Sequence, residues 1–325
     1  MRNSAIQQAH LKPICLARIN SQDDTFRITT RTDTDELQVS IKHEGLLNPP
    51  VVIRNASAFT IVSGFRRIAA CLKIGCDEII ARVLEPRLSS FDCLRIAIAE
   101  NALQRPLNLI ETSRSLHKLS LLLNSSKSLA ESAASLCLPT NPSIINKIKD
   151  LCILPWPVQS AILEDTISLS MAVELGFLEP DIAIAFARLF DQLKIGLNKQ
   201  KEIVTLFKEI AERDSISIHR VMEDDKLQAI LNSEDLDRAQ KGHKLRFILR
   251  QKRYPRLVAA ENNFAFYRKQ LKLGTEIKII PPKEFEGTAY SLTLTFSDLA
   301  HLKALQSRLH EIMKNPWFEK IFKII

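Results

Sequence analysis

Residues 61–75 read Ile-Val-Ser-Gly-Phe-Arg-Arg-Ile-Ala-Ala-Cys-Leu-Lys-Ile-Gly. A β-branched pair runs into Ser63-Gly64, two arginines follow, and an alanine-rich apolar stretch stops at Gly75. The pattern predicts a strand, a tight glycine turn and a helix, so this part of the chain is committed to a mixed α/β fold. Arg66 and Arg67 then fall in the first helical turn, where the macrodipole is already positive. Unpaired backbone N–H groups at a helix start point outward and favour an anion there. Two guanidinium groups add forked donors matched to phosphate oxygens. Ser63, Gly64, Phe65, Arg66 and Arg67 are therefore a candidate polyphosphate site. The alternative is that the arginines are solvated or paired with carboxylates.

The surrounding sequence extends the same unit over residues 11–105. Residues 35–47 predict an amphipathic helix with Leu37, Val39 and Ile41 inward, closed by Gly45. Strands are expected at 51–53, 59–63 and 79–84, and a helix at 91–101. At the end of that helix stand Glu100, Asn101, Gln104 and Arg105. Glu100 with Asn101 can hold a divalent cation or a water, and Arg105 can reach a phosphate. An ordinary polar helix end is the competing reading.

At 325 residues the chain exceeds a single ordinary core, which predicts two or three domains. Residues 107–235 read as almost wholly helical. Asn108 followed by Glu111 is a capping-box pattern. Residues 128–154 predict two short helices about a turn at Leu138-Pro139-Thr140, with Asn141 capping the second and Pro142 in its first turn. Ile144, Ile145, Ile148 and Leu151 form the expected apolar stripe. Ser143, Asn146, Lys147 and Lys149 are left outside, the face that a DNA-recognition helix needs. Residues 238–256 are rich in Lys and Arg and contain no acid. Among them Lys244, Arg246, Arg250, Lys252 and Arg253 are candidates for sequence-independent phosphate contact, against the alternative of a solvated linker. The last region predicts a helix at 257–272, strands at 276–280 and 289–296, and a helix at 298–313 capped by Ser297. So small an α-β-β-α unit often completes its core by dimerising.

A formal net charge of +8 makes an acidic partner such as DNA plausible. The six cysteines form no C-x-x-C pair and no zinc spacing, so they are expected as reduced core residues. The polar N-terminus has no signal-peptide pattern. No apolar run reaches the ~18–20 residues that span a bilayer. A cytoplasmic, nucleoid-associated protein without membrane contact is expected.

Three motifs in order resemble the ParB partition-protein family. Leu37 to Val52 is similar to the family's helix-to-strand segment, residues 61–75 to its Gly-Glu-Arg-Arg phosphate motif, and Glu100-Asn-Ala-Leu-Gln-Arg105 to its Glu-Asn-x-x-Arg motif. Residues 153–178 and 273–309 resemble later segments, the second being the family's small dimerisation domain. The resemblance implies an α+β multidomain chain. Its parts are a ParB/sulfiredoxin-like nucleotide-binding domain (1–106), a helical DNA-binding domain with a helix-turn-helix (107–235), a basic linker (236–256) and an α-β-β-α dimerisation domain (257–325). It further implies CTP with Mg²⁺, with Gly64, Arg66 and Arg67 on the phosphates. Glu100 and Asn101 would handle metal and water, as candidate catalytic groups of a slow CTPase, and Arg105 would add a phosphate contact. A homodimer would close as a clamp on DNA at a centromere-like site in chromosome or plasmid partition, with a ParA-type ATPase as partner.

The sequence departs from the family in three places. Phe65 stands where the family has an acid, which predicts weak hydrolysis or altered nucleotide choice. Residues 20–31 replace the Asn-Pro-x-Gln-Pro-Arg box. The turn Leu-Cys-Leu-Pro-Thr-Asn-Pro lacks the usual Gly, and the following helix lacks its Ser-Arg start. Two other classes stand beside the clamp: a CTP-binding transcription regulator or adaptor without partition function, and a metal-dependent nuclease. The second needs clustered carboxylates that the first domain hardly offers.

Overall fold

The computed structural model describes residues 9–123 and 125–324. The chain divides into two units, Met1–Leu197 and Asn198–Ile325. The first opens with β1 (His10–Cys15), β2 (Ile19–Asn20), α1 (Asp35–Glu44), β3 (Val51–Asn55), β4 (Ala58–Ser63), α2 (Phe65–Lys73), β5 (Glu78–Leu84) and α3 (Ser90–Gln104). The strands form one sheet in the order β1-β5-β3-β4-β2. β3 pairs antiparallel with β4, Val52 opposite Ile61 and Ile53 opposite Thr60, and parallel with β5. β4 is buried from Phe59 to Ser63, so both of its faces are covered, rather than every second residue facing solvent. Val52, Ile61, Ile68 and Cys71 meet in the core beneath the sheet. β4, which ends in the Ser63-Gly64 turn, is thus anchored on both faces, and its glycine emerges from a fixed point.

The same unit continues with α4 (Leu109–Leu122), α5 (Ser126–Ala134), α6 (Pro142–Ile148), α7 (Trp156–Leu163), α8 (Leu169–Leu175) and α9 (Pro180–Leu193). The expected capping box closes α4: Asn108 accepts from the Glu111 N–H, and Glu111 accepts from the Asn108 N–H. Asn141 caps α6 through the N–H groups of Ser143 and Ile144, with Pro142 in the first turn. Buried Ser113 of α4 donates to the Lys149 carbonyl (3.0 Å) and accepts from the Cys152 N–H (2.8 Å). Gln159 of α7 donates to the carbonyls of Cys152 (3.0 Å) and Leu154 (2.7 Å). These side chains satisfy the backbone of the irregular 149–154 segment.

The second unit contains α10 (Leu197–Asp214), α11 (Ile218–Met222), α12 (Asp225–Asn232), α13 (Arg238–Arg253), α14 (Pro255–Gln270), β6 (Ile277–Ile280), β7 (Ser291–Leu294), α15 (Leu299–Lys314) and α16 (Pro316–Ile321). The basic segment expected to join two regions is helical, started by an Asp237–Gln240 capping box. Phe264, Phe285 and Ile277 form the last core with Leu305 and Ile321.

Several expectations are corrected. β1 and β2 were not foreseen, because β1 buries only Ile14 and carries Pro13; proline is tolerated at a sheet edge, which is where β1 lies. Val39 is 60% exposed, and α1 buries no residue fully; Leu37 and Ile41 are only half-buried. Ile144 is exposed, so the stripe of α6 is Ile145 and Ile148 alone. Asp298, not Ser297, caps α15, accepting from the His301 N–H at 2.7 Å. Cys71 and Cys93 are core residues, but Cys15 and Cys137 are exposed. α16 was also unforeseen. Among the described residues no helix is long and apolar enough to cross a membrane.

Candidate functional site

Gly64 is the N-cap of α2 and sits at φ +94°. A Cβ there would lie 2.7 Å from the Pro50 Cβ, so only glycine lets the chain leave β4 at this point. Its turn aims the start of α2 into a cavity of about 400 Å³. Ser63, Gly64, Phe65, Arg66 and Arg67 line one side, and Asn101, Gln104 and Arg105 at the end of α3 line another. The two motifs read from the sequence therefore meet in space. Thr29, Arg31, Leu37 and Asn48 complete the wall. The sequence reading missed them, although an arginine and a run of threonines in residues 25–34 were a visible polar signal.

Four arginines line this cavity, and no carboxylate does among the described lining residues. Each motif arginine is positioned by the fold. Arg66 Nε donates to the Asp33 carbonyl (2.7 Å). Arg67 Nη1 donates to the Asn48 carbonyl (2.7 Å), and its Nη2 pairs with Glu100 Oε1 (2.7 Å). Phe65 packs partly against the sheet core, with the Arg27 guanidinium 5.7 Å from its ring centre. Arg105 makes a bidentate pair with Glu111, at 2.7 and 2.6 Å. Glu111 is fully buried and also accepts from the Thr30 N–H (3.0 Å), Thr30 Oγ1 (3.3 Å) and the Asn108 N–H (3.1 Å). Burial alone would raise its carboxyl, but the Arg105, Thr30 and Asn108 hydrogen bonds and the Arg105 charge overcome that and hold it down to about 2. Sequence reasoning gave Glu111 a cap and missed this second role.

The metal and catalytic candidates are placed less openly. Glu100 is not on the cavity wall; one oxygen serves Arg67, while Oε2 is buried without a partner. Asn101 lines the cavity and donates to the Ala97 carbonyl of its own helix (2.8 Å). Among the described residues no group of three or more His, Cys, Asp or Glu could hold a metal ion. The set does not suit a dedicated all-protein site. It suits a nucleotide-borne Mg²⁺, which takes most of its ligands from phosphate and water and one or two from protein oxygens. The orphaned Glu100 oxygen is a buried acceptor available for that.

The DNA-contact candidates fall into two groups. Ser143, Asn146 and Lys147 are exposed on α6, Asn141 is its exposed cap, and Lys149 is half-buried at its end. In α13, Arg246 pairs with Glu202, Arg250 with Glu261, Lys252 with Asp224 and Arg253 with Glu209, at 2.5 to 2.8 Å. The acids missing from the segment come from α10, α14 and the cap of α12. Lys244 alone of the five is exposed and makes no ion pair among the described residues.

Residues 2–102 match the family model of the ParB N-terminal domain. The chain is 29% identical to a probable chromosome-partitioning protein ParB of Campylobacter jejuni over 206 residues, 62% of this chain and 70% of that one. It is 30% identical to a probable chromosome 1-partitioning protein ParB of Deinococcus radiodurans over 180 residues, 55% of this chain and 59% of that one. Among solved structures, a C-terminally truncated chromosome-partitioning protein ParB from Caulobacter crescentus complexed with CTP-γ-S is 24% identical, with a TM-score of 0.27, covering 56% of this chain and 98% of that one.

Proposed function

The chain is a divergent member of the ParB family, and from that premise we propose that it is a CTP-responsive, DNA-binding clamp of the partition type. The observation that carries the nucleotide half is the arginine-lined, carboxylate-free cavity at the start of α2. A triphosphate is the small-molecule group that such a wall suits: outward N–H groups, a positive dipole end and forked cations. Arg66 has terminal nitrogens with no partner among the described residues and is the readiest phosphate donor. Arg67 and Arg105 are held by carboxylates beside the cavity and add positioned positive charge. Glu100 and Asn101 would hold the nucleotide's Mg²⁺, whose chemistry is to neutralise and orient the phosphates. Phe65 supplies neither a proton acceptor nor a metal ligand, so the nucleotide acts chiefly as a switch and turnover is slow or absent.

α5 and α6 are read as the helix-turn-helix, with Ser143, Asn146 and Lys147 toward DNA. Lys244 adds a sequence-independent contact, while the paired cations of α13 chiefly hold the second unit together. A homodimer through the last α-β-β-α segment fits its exposed Leu292 and Phe296. A ParA-type ATPase is the expected partner by family. A nuclease is disfavoured by the scarcity of carboxylates at the site.

Calorimetric titration with CTP and Mg²⁺, against ATP, GTP and UTP, tests the reading. Selective binding of CTP is expected. Each charge-assisted hydrogen bond contributes roughly 1.5–3 kcal/mol, so Arg66→Ala is expected to weaken it by on the order of 10- to 100-fold. Absence of binding for every nucleotide would overturn the switch and leave a DNA-binding dimer.

A further inference from the structure

Residues 24–32 form no regular element, yet Phe26 and Ile28 are buried and the backbone is tied to one face of α4. Lys118 Nζ donates to the carbonyls of Asp24 and Thr25, both at 2.6 Å. Arg114 Nη1 donates to the Thr29 carbonyl at 2.8 Å and to the Ile28 carbonyl at 3.5 Å. Between this strap, α4, the 152–153 turn and the start of α7 lies a second cavity, of about 550 Å³. Thr29 is the one wall residue it shares with the first.

The charge of this second cavity is unbalanced. Arg27, Arg114 and Lys118 line it, with Asp24 as the only carboxylate among the described lining residues. Asp24 pairs with Arg27 at 3.2 Å. His117, also on the wall, lies 3.4 Å from Asp150. Arg114 and Lys118 have carbonyl partners but no ion pair among the described residues. Burial presses both charges toward neutrality, lowering each pKa. Asp23, Asp24 and Glu111 offset these charges from a distance without a direct ion pair, so the half-buried cations are incompletely compensated and an anion that joins them is favoured. Both hydrogen bonds of Arg114 use Nη1, so among the described residues Nε and Nη2 remain as donors. The same cavity is lined by Ile153 and Trp156, which are 65% and 55% exposed, an apolar contribution that isolated solvent-facing lysines lack.

We propose that this cavity is a second oxyanion site, which takes a phosphate group on Arg114 and Lys118, with Trp156 and Ile153 covering its apolar side. It does not depend on the nucleotide reading. The phosphate can belong to a small phosphorylated ligand or to a nucleic-acid backbone, and the two sources are separable.

The chain has two tryptophans, so Trp317→Phe leaves Trp156 as a reporter on the cavity wall. Titration of this full-length variant with sodium phosphate, against sodium chloride at equal ionic strength, is expected to give a saturating change in emission with phosphate alone. The response should persist with Arg66→Ala, and its midpoint should rise at least tenfold with Arg114→Gln or Lys118→Gln. Should those variants unfold, Cys152 on the same wall serves in the unmutated chain, followed peptide by peptide in a mass spectrometer because Cys15 and Cys137 are exposed thiols too: phosphate, not chloride, should slow labelling of Cys152 by a neutral maleimide. A random-sequence duplex that reproduces the emission change and is displaced by phosphate identifies a backbone phosphate. A phosphate response without a duplex response identifies a small ligand. An identical response to chloride, loss of the response with Arg66→Ala, or an unchanged midpoint in folded Arg114→Gln and Lys118→Gln overturns the site.

Discussion

Replacing Glu111 by Gln removes the buried charge that pairs with Arg105, a wall residue of the first cavity, and leaves the shape nearly intact. The carboxyl sits at about 2 instead of its ordinary 4.5, which corresponds to roughly 3 kcal/mol of stability at neutral pH, at ~1.4 kcal/mol per unit. A depressed carboxyl contributes fully above the unfolded value, and its contribution is lost as pH falls toward the folded one, because the unfolded chain takes up the proton first. At pH 3.5 the linkage leaves roughly 2 kcal/mol. Glu111→Gln is therefore expected to cost about 2–4 kcal/mol at pH 7, and this deficit should shrink by roughly 1 kcal/mol at pH 3.5. Urea unfolding followed through Trp156 in the Trp317→Phe background reads the first unit directly. The comparison is between chains with and without the Glu111→Gln substitution at each pH, so other carboxylates cancel. A deficit that is the same at both pH values, or smaller than about 0.5 kcal/mol at pH 7, would refute the assignment of Arg105, Thr30 and Asn108 as the groups that hold this charge.

Four further outcomes are expected. Gly64→Ala meets both a positive φ and the Pro50 Cβ, so thermal melts should show a loss of about 1–3 kcal/mol, with nucleotide affinity falling alongside. Ser113→Ala orphans the half-buried Cys152 N–H and removes a donor from the Lys149 carbonyl; a destabilisation of about 1–3 kcal/mol is expected by urea titration. Lys244→Ala should reduce the salt slope of non-specific DNA binding by about 1 with little change in melting. Arg253→Ala should do the reverse, through its partner Glu209.

What could be read in advance was local. The Gly64 turn, the Asn108–Glu111 box and the Asn141-Pro142 start depend on residues within a few positions of one another, and the structure has all three. The meeting of the Gly64 and Gln104 segments was legible only as a family resemblance, since no spacing rule brings residues so far apart together. What failed was tertiary. The α13 cations looked unbalanced because their acids lie far away in sequence, at Glu202, Glu209 and Asp224. The wall residues Thr29 and Arg31 lie on a segment without periodicity, placed by carbonyl bonds to α4 that no sequence pattern encodes. Val39 and Ile144 failed for the opposite reason: helical spacing marks a face, but the neighbours decide how wide a face is covered.

The two ends of the first sheet are unlike its middle. β2 is only two residues long, and β1 carries exposed His10, Lys12 and Pro13. Short edges, a cation and a proline are devices that stop a foreign strand from adding on. At high local concentration such a sheet resists fusing with other copies of itself into fibres. Any contact between this domain and another protein is then left to helices and side-chain surfaces, which can be made and released without unfolding the sheet.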